Sequence, residues 1–216
     1  APLVSVNRAG NVKMHTVGPT IINTEVKIAD DGEILVRGDL TMLGYWNNPK
    51  ATRDTLINGW VHTGDIGEFD ADGHLIITDR KKDIIVNSGG DNLAPQRIEG
   101  IICLQPEIAQ AMVYGDKRPH ITALLVPDES WFKAWTTMAG KSGSLRDLAA
   151  EPDLHKALVP AMEQINQGLS NIEKIRRYMI ADEAFSIDNA QMTPTMKVRR
   201  HKIIDVYGER LAGLYR

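Results

Sequence analysis

Residues 60–99 read WVHTGDIGEFDADGHLIITDRKKDIIVNSGGDNLAPQRIE, and these forty positions hold a Thr-Gly-Asp turn, an Asp-Gly pair, five consecutive charged residues and a glycine pair. A stretch punctuated this densely cannot continue as one helix or one long strand. Asp-Gly supplies the positive backbone angles of tight reversals, so the chain must fold back on itself between the flanking runs. Those runs are GEFD before Ala71-Asp72-Gly73 and HLIIT after it. The same design occurs upstream, where EVKIA and EILVRG flank Asp30-Asp31-Gly32 with the two-residue alternation of half-buried strands. Between the hairpins, GYWNNPKATRDTLINGW is irregular and aromatic, with Pro49 suited to open a short helix through about Leu56. Residues 1–79 therefore read as a small β unit.

From residue 80 onward the pattern is mixed. Pro95 suits a helix start, and Ile98, Ile101 and Ile102 place one apolar stripe on a helix of about ten residues. IAQAMVYG and ITALLVPD, separated by the polar DKRPH, read as two strands that IIVN at 84–87 would join in a small sheet. From Trp131 the chain is helical in character, punctuated at Ser144 and Pro152, with a stripe of Leu154, Leu158, Met162 and Ile165 and a kink expected at Pro160. A last strand ends at Ile180, a polar loop follows, and Val198 to Leu214 reads as a terminal helix. The fold class expected is α+β: a β unit over 1–79 and a mixed domain over 80–216 with a small sheet and flanking helices. Charge changes at the same point. Residues 1–79 carry six Lys/Arg against eleven Asp/Glu, a formal −5, and residues 80–216 carry nineteen against seventeen, or +2.

Composition excludes several classes. With 43% apolar residues the chain can bury a core, and no apolar run approaches the roughly 20 residues that span a bilayer, so no transmembrane segment is expected and the protein reads as cytoplasmic. Peripheral membrane association is left open. A net charge of −3 argues against general nucleic-acid binding, and the short basic run KVRRHK at 197–202 does not reverse that. Cys103 is the single cysteine, and its place in the run Ile101-Ile102-Cys103-Leu104 favours a buried, inert thiol. The histidines show no ligand spacing, so no protein-bound metal is expected.

Taken singly, TGD, DG and SGG are ordinary turns. In this order and spacing, together with MTPTMKVRR at 192–200, they resemble the adenylate-forming superfamily of acyl-CoA synthetases, luciferases and peptide-synthetase adenylation domains, with the long-chain fatty acyl-CoA synthetases as the nearest branch. The resemblance runs from about Val17 to Tyr207, and the helical stretch at about 131–170 supports the long-chain label. It implies ATP and CoA as co-substrates of a fatty acid, an acyl-adenylate intermediate, and Mg²⁺ held mainly by the ATP phosphates. The family's phosphate loop and acyl pocket lie upstream of the matched region. The chain is therefore expected to comprise the last β segment of a larger N-terminal domain plus a mobile C-terminal domain, and to be inactive alone.

Residue roles follow from that resemblance. Asp65, in the TGD turn, is implied to accept hydrogen bonds from the nucleotide ribose, with Arg80 reaching the same group; without the resemblance, Asp65 would cap its own turn and Arg80 would pair with Asp79 or Asp83. Lys197 is implied to meet the acid carboxylate and the α-phosphate as they react, where a mobile ammonium stabilises developing charge. Thr193-Pro194-Thr195 before it suits a rigid presenting loop. Lys82 stands where family members turn one domain against the other. Gly89 and Gly90 offer side-chain-free backbone to the pantetheine arm of CoA, or simply a turn. Asp91 departs from the family's Glu in GGEN. Arg199, Arg200, His201 and Lys202 read most simply as a solvated helix start. Two other readings stay open: an adenylation domain that loads a carrier protein, and a non-catalytic CoA-binding or docking module.

Overall fold

In the computed structural model, which describes residues 3–216, both Asp-Gly signals become hairpins. The first unit contains β1 (Gly18–Pro19), β2 (Thr24–Ile28), β3 (Glu33–Gly38), α1 (Pro49–Thr55), β4 (Leu56–Ile57), β5 (Trp60–Phe69) and β6 (His74–Arg80). These strands form one antiparallel sheet in the order β1-β6-β5-β3-β2, with β4 added against β5. In β2, Thr24, Val26 and Ile28 are half-buried and alternate with exposed Glu25 and Lys27, which leaves one face solvated. Ile34, Val36 and Leu75 form the small buried core, with Val4, Val26 and Ile28 against it. The β5–β6 reversal is secured by Asp70, whose Oδ1 accepts from Asp72 N (2.9 Å) and His74 N (2.8 Å). A bond from the Lys13 ammonium to Asp70 leads the causes that hold this carboxyl down to about 2. Asn48 caps α1 by accepting from Ala51 N at 3.0 Å.

The second unit contains β7 (Ile85–Val86), β8 (Asn92–Leu93), α2 (Pro95–Ile102), β9 (Ile108–Tyr114), β10 (Ile121–Pro127), α3 (Glu129–Ala139), α4 (Leu145–Leu148), α5 (Pro152–Gln167), β11 (Ile175–Ile180) and α6 (Arg200–Gly213). Its sheet is ordered β11-β10-β9, antiparallel between β9 and β10 and parallel between β10 and β11. A parallel neighbour needs a long crossover, and α3–α5 supply it. Every residue of β10 is buried, because the strand has a core on each face. Ile121, Ala123 and Leu125 point to a cluster with α2 and α5 that includes Ile98, Ile102, Leu154, Leu158 and Ile165. Leu124 and Val126 point the other way, to Met112, Met179 and the α6 residues Ile203, Tyr207 and Leu211. Asn166, near the end of α5, sets the start of β11 by bonding both Ile175 N (2.9 Å) and Ile175 O (3.0 Å).

Two expectations are corrected. The segment IIVN does not join the three-stranded sheet: β7 pairs with β8 in a separate two-stranded ribbon, and β11 takes the place beside β10. Pairing two residues per strand across a short glycine turn closes fewer residues than reaching the larger sheet. Cys103 is exposed, because α2 ends at Ile102 and the chain turns outward, leaving Leu104 78% exposed as well. The stripe stops with the helix. Helix α5 spans Pro152–Gln167 with Pro160 inside it. The chain forms two compact units, Ala1–Ile84 and Ile85–Arg216. The charged run is bonded back onto the first unit: Lys81 N donates to Gly64 O at 2.8 Å, and Arg80 O accepts from Asp83 N (2.9 Å) and Ile84 N (3.1 Å).

Candidate functional site

The TGD turn lies within β5, inside the irregularity of register with β3 between His62 and Ile66 and just before the one with β6 between Ile66 and Gly67. Thr63 explains the local course of the chain. Its hydroxyl donates to Ile34 O at 2.7 Å and accepts from Asp65 N at 3.0 Å. Gly64 then adopts φ +71°, a conformation that side chains other than glycine rarely adopt. Its N–H donates to Glu33 Oε1 at 2.9 Å. Asp65 stands opposite Arg80 in the β5–β6 register, and Arg80 Nε lies 2.7 Å from Asp65 Oδ1. The two residues implied to touch a ribose are thus side by side, partnered with each other and accessible, with side chains 25% and 52% exposed. Asp79 Oδ1 accepts Arg80 N at 2.6 Å.

Beneath this turn sits a charged centre that the motifs do not reveal. Glu33 is 4% exposed, and its carboxylate meets Lys81 Nζ (2.9 Å), His62 Nδ1 (3.0 Å) and Gly64 N. Burial pushes the Glu33 carboxyl up, but the bonds from Lys81, His62 and Gly64 outweigh it and leave it below the usual carboxylate range. Lys81 also reaches Asp31 at 2.6 Å, and its bonds to Asp31 and Glu33 raise the ammonium above its ordinary value. One buried carboxylate therefore ties the TGD turn to the residue just before Lys82. Lys82 itself is exposed in the turn that follows. The only sequence signal for this centre was a glutamate at the apolar start of a strand.

The glycine pair forms the tip of the β7–β8 ribbon and is exposed. Asn87 organises it: Oδ1 accepts from Gly89 N (2.8 Å) and Asp91 N (2.9 Å), while Nδ2 donates to Asp91 Oδ2 (2.9 Å). Gly90 has φ +88°, and nothing lies within 4 Å of where its Cβ would stand. Asp91 is therefore part of the turn's own bonding. Ser88 N donates to Arg118 O at 3.0 Å, which places the ribbon tip beside the DKRPH loop.

Lys197 is exposed on a closed loop. Thr193 N donates to Lys197 O (2.8 Å), Lys197 N to Thr193 Oγ1 (3.0 Å) and Met196 N to Thr193 O (2.9 Å), and Met196 takes φ +61°. Met192 pairs with Val198 at the base and is buried in the α6-side core. The backbone is fixed while the ammonium stays in solvent. Arg200, expected on a solvated face, is instead ion-paired to Glu99 of α2 at 2.7 Å. A basic residue opening a helix gave no hint of a carboxylate a hundred positions earlier. Asp65 and Arg80 belong to the first unit, and Gly89, Gly90 and Lys197 to the second. Among the described residues, no group of three or more His, Cys, Asp and Glu side chains is placed to hold a metal ion, and no helix is long and apolar enough to cross a membrane.

Residues 82–216 match the family model of the AMP-binding enzyme C-terminal domain. The long-chain-fatty-acid–CoA ligase FadD15 of Mycobacterium tuberculosis is 40% identical over 214 residues, covering 98% of this chain and 36% of that protein. The chain thus spans about a third of the length of such relatives. Among solved structures, the A-PCP didomain of carboxylic acid reductase from Segniliparus rugosus, in complex with AMP, superposes with a TM-score of 0.74 at 24% identity, over 92% of this chain and 28% of that one. At that identity the likeness concerns fold alone. O-succinylbenzoate CoA synthetase of Bacillus subtilis, in complex with ATP and magnesium ion, gives a TM-score of 0.62 at 26% identity, over 88% of this chain and 35% of that one.

Proposed function

This chain belongs to the family of AMP-binding enzyme C-terminal domains, within the adenylate-forming enzymes, and we propose on that premise that it works as part of an ATP-dependent fatty acid–CoA ligase. In the first step a carboxylate oxygen of the acid bonds to the α-phosphorus of ATP and pyrophosphate leaves. In the second the CoA sulfur bonds to the acyl carbon, AMP leaves, and the thiol proton passes to solvent. Lys197 serves the first step. Two anions must approach each other there, and an ammonium held on a fixed backbone lowers the barrier where charge develops. Asp65 accepts from the ribose hydroxyls, with Arg80 orienting it; the carboxylate is reachable and already held by a guanidinium, which suits a bidentate acceptor. Gly89 and Gly90 let the thin arm of CoA run close to the ribbon tip. Mg²⁺ enters with ATP, carried mainly on its phosphates, and Lys82 is the pivot between the two steps.

The observation that carries this reading is the Lys197 loop, bonded on itself from Thr193 to Lys197 and exposing the ammonium. The 40% identity to a long-chain-fatty-acid–CoA ligase supports the substrate class. Lys197→Ala in the full-length protein tests it. Pyrophosphate release should fall roughly a hundred- to thousand-fold, the usual cost of one preorganised charge, while CoA-thioester formation from supplied acyl-adenylate persists. An equal loss in both steps would make Lys197 a structural residue.

A further inference from the structure

Helix α6 begins three residues after Lys197, and ordinary capping does not hold its start. Its N-cap, Arg199, makes no side-chain capping bond, and the first turn contains no acidic residue. The positive charge of Arg199, Arg200, His201 and Lys202 at a helix N-terminus works against the helix dipole. What anchors the turn is Glu99. Arg200 Nη1 and Nη2 donate to its Oε1 and Oε2 at 2.7 and 2.8 Å, and the two side chains are 18% and 11% exposed. Both partners are also bound to β9: Val113 N donates to Glu99 Oε1 at 2.8 Å, and Arg200 Nη1 donates to Val113 O at 3.2 Å.

A withdrawn ion pair adds little net stability compared with apolar residues of the same volume. Its particular contribution is direction, since two parallel bonds from a planar guanidinium fix orientation as well as distance. The upstream end of the Lys197 loop is fixed by buried Met192. The downstream end has Arg200. Glu99 lies on α2, the helix that opens two residues after the ribbon bearing Gly89 and Gly90. The same pair therefore ties the lysine loop to the helix behind the glycine turn.

We propose that Glu99 and Arg200 are positioning residues for Lys197, holding its loop at the angle the adenylation step requires. This rests on the role of Lys197 proposed above. A misplacement of about 1 Å can cost about a hundredfold in rate, so an anchor of this kind should govern turnover more than substrate binding.

The test is a double-mutant cycle in the full-length protein, reading pyrophosphate release for wild type, Glu99→Gln, Lys197→Ala and the double variant. Glu99→Gln should lower kcat for adenylation about ten- to hundredfold with little change in the ATP KM. In the Lys197→Ala background the same change should alter the rate by less than about twofold, because the group it positions is gone. Equal fold losses in both backgrounds would overturn the proposal by making the pair a general structural element. Should Glu99→Gln not fold, Arg200→Lys, which keeps the charge and loses the fork, takes its place in the cycle. An unaffected Lys197→Ala overturns the reading of Lys197 and this proposal with it. A crippled Lys197→Ala beside a normal Glu99→Gln overturns the positioning alone.

Discussion

Replacing Glu33 by glutamine probes the charged centre beneath the TGD turn with almost no change of shape. Three donors converge on the carboxylate: Lys81 Nζ at 2.9 Å, His62 Nδ1 at 3.0 Å and Gly64 N at 2.9 Å. Glutamine offers one oxygen, and its amide N–H groups would face donors, so at least one bond to the charged group is lost and another is set against a like polarity. Such a bond contributes about 1.5–3 kcal/mol, and the Lys81 side chain is 44% exposed, so screening places its share near or below the low end. The expected loss for the first unit is about 2 kcal/mol at neutral pH. The pH dependence has a definite sign. Glu33 is held below the ordinary carboxylate range, so its stabilisation is present above that range and is lost as pH falls through the folded-state value. The gap between wild type and Glu33→Gln should be widest near neutrality and close on acidification. Urea unfolding of the 216-residue chain, followed by circular dichroism with exchange of the Gly64 amide as a local report, measures both. A variant within about 0.5 kcal/mol of wild type at neutral pH, or a gap that widens in acid, would refute the reasoning.

Two further outcomes are expected. Lys82→Ala should be mild, whereas Lys82→Pro, which fixes φ near −65° and restricts Lys81 before it, should spare adenylation and cripple thioester formation; full activity of the folded proline variant in both steps, with acyl-adenylate supplied for the second, would exclude a pivot at this residue. Leu124→Ala removes a side chain at 0% exposure from the α6-side core, and should cost about 2–5 kcal/mol in the second unit, read by denaturant unfolding. A loss below about 1 kcal/mol would mean that the core collapses onto the gap.

Much of the local structure was legible from the residues. The two hairpins follow from Asp-Gly turns between alternating runs, because turn geometry and strand periodicity are properties of a few adjacent residues. The stripe Leu154, Leu158, Met162 and Ile165 faces the core as its spacing required, and all four are buried. The bonds that close the loop before Lys197, Thr193 with Thr195 at 3.0 Å and Lys197 N to Thr193 Oγ1 at 3.0 Å, are local too. The partners across the chain were not legible. The place beside β10 went to β11 and not to Ile85 and Val86, a choice that depends on how the α3–α5 crossover packs and not on the strand's own residues. Arg200 found Glu99, Arg80 found Asp65, and Glu33 gathered Lys81 and His62, each across a separation that no sequence period encodes. A charged side chain carries the same local signal whether it faces water or a partner; only the tertiary fold, by withdrawing water around it, decides which charges must pair.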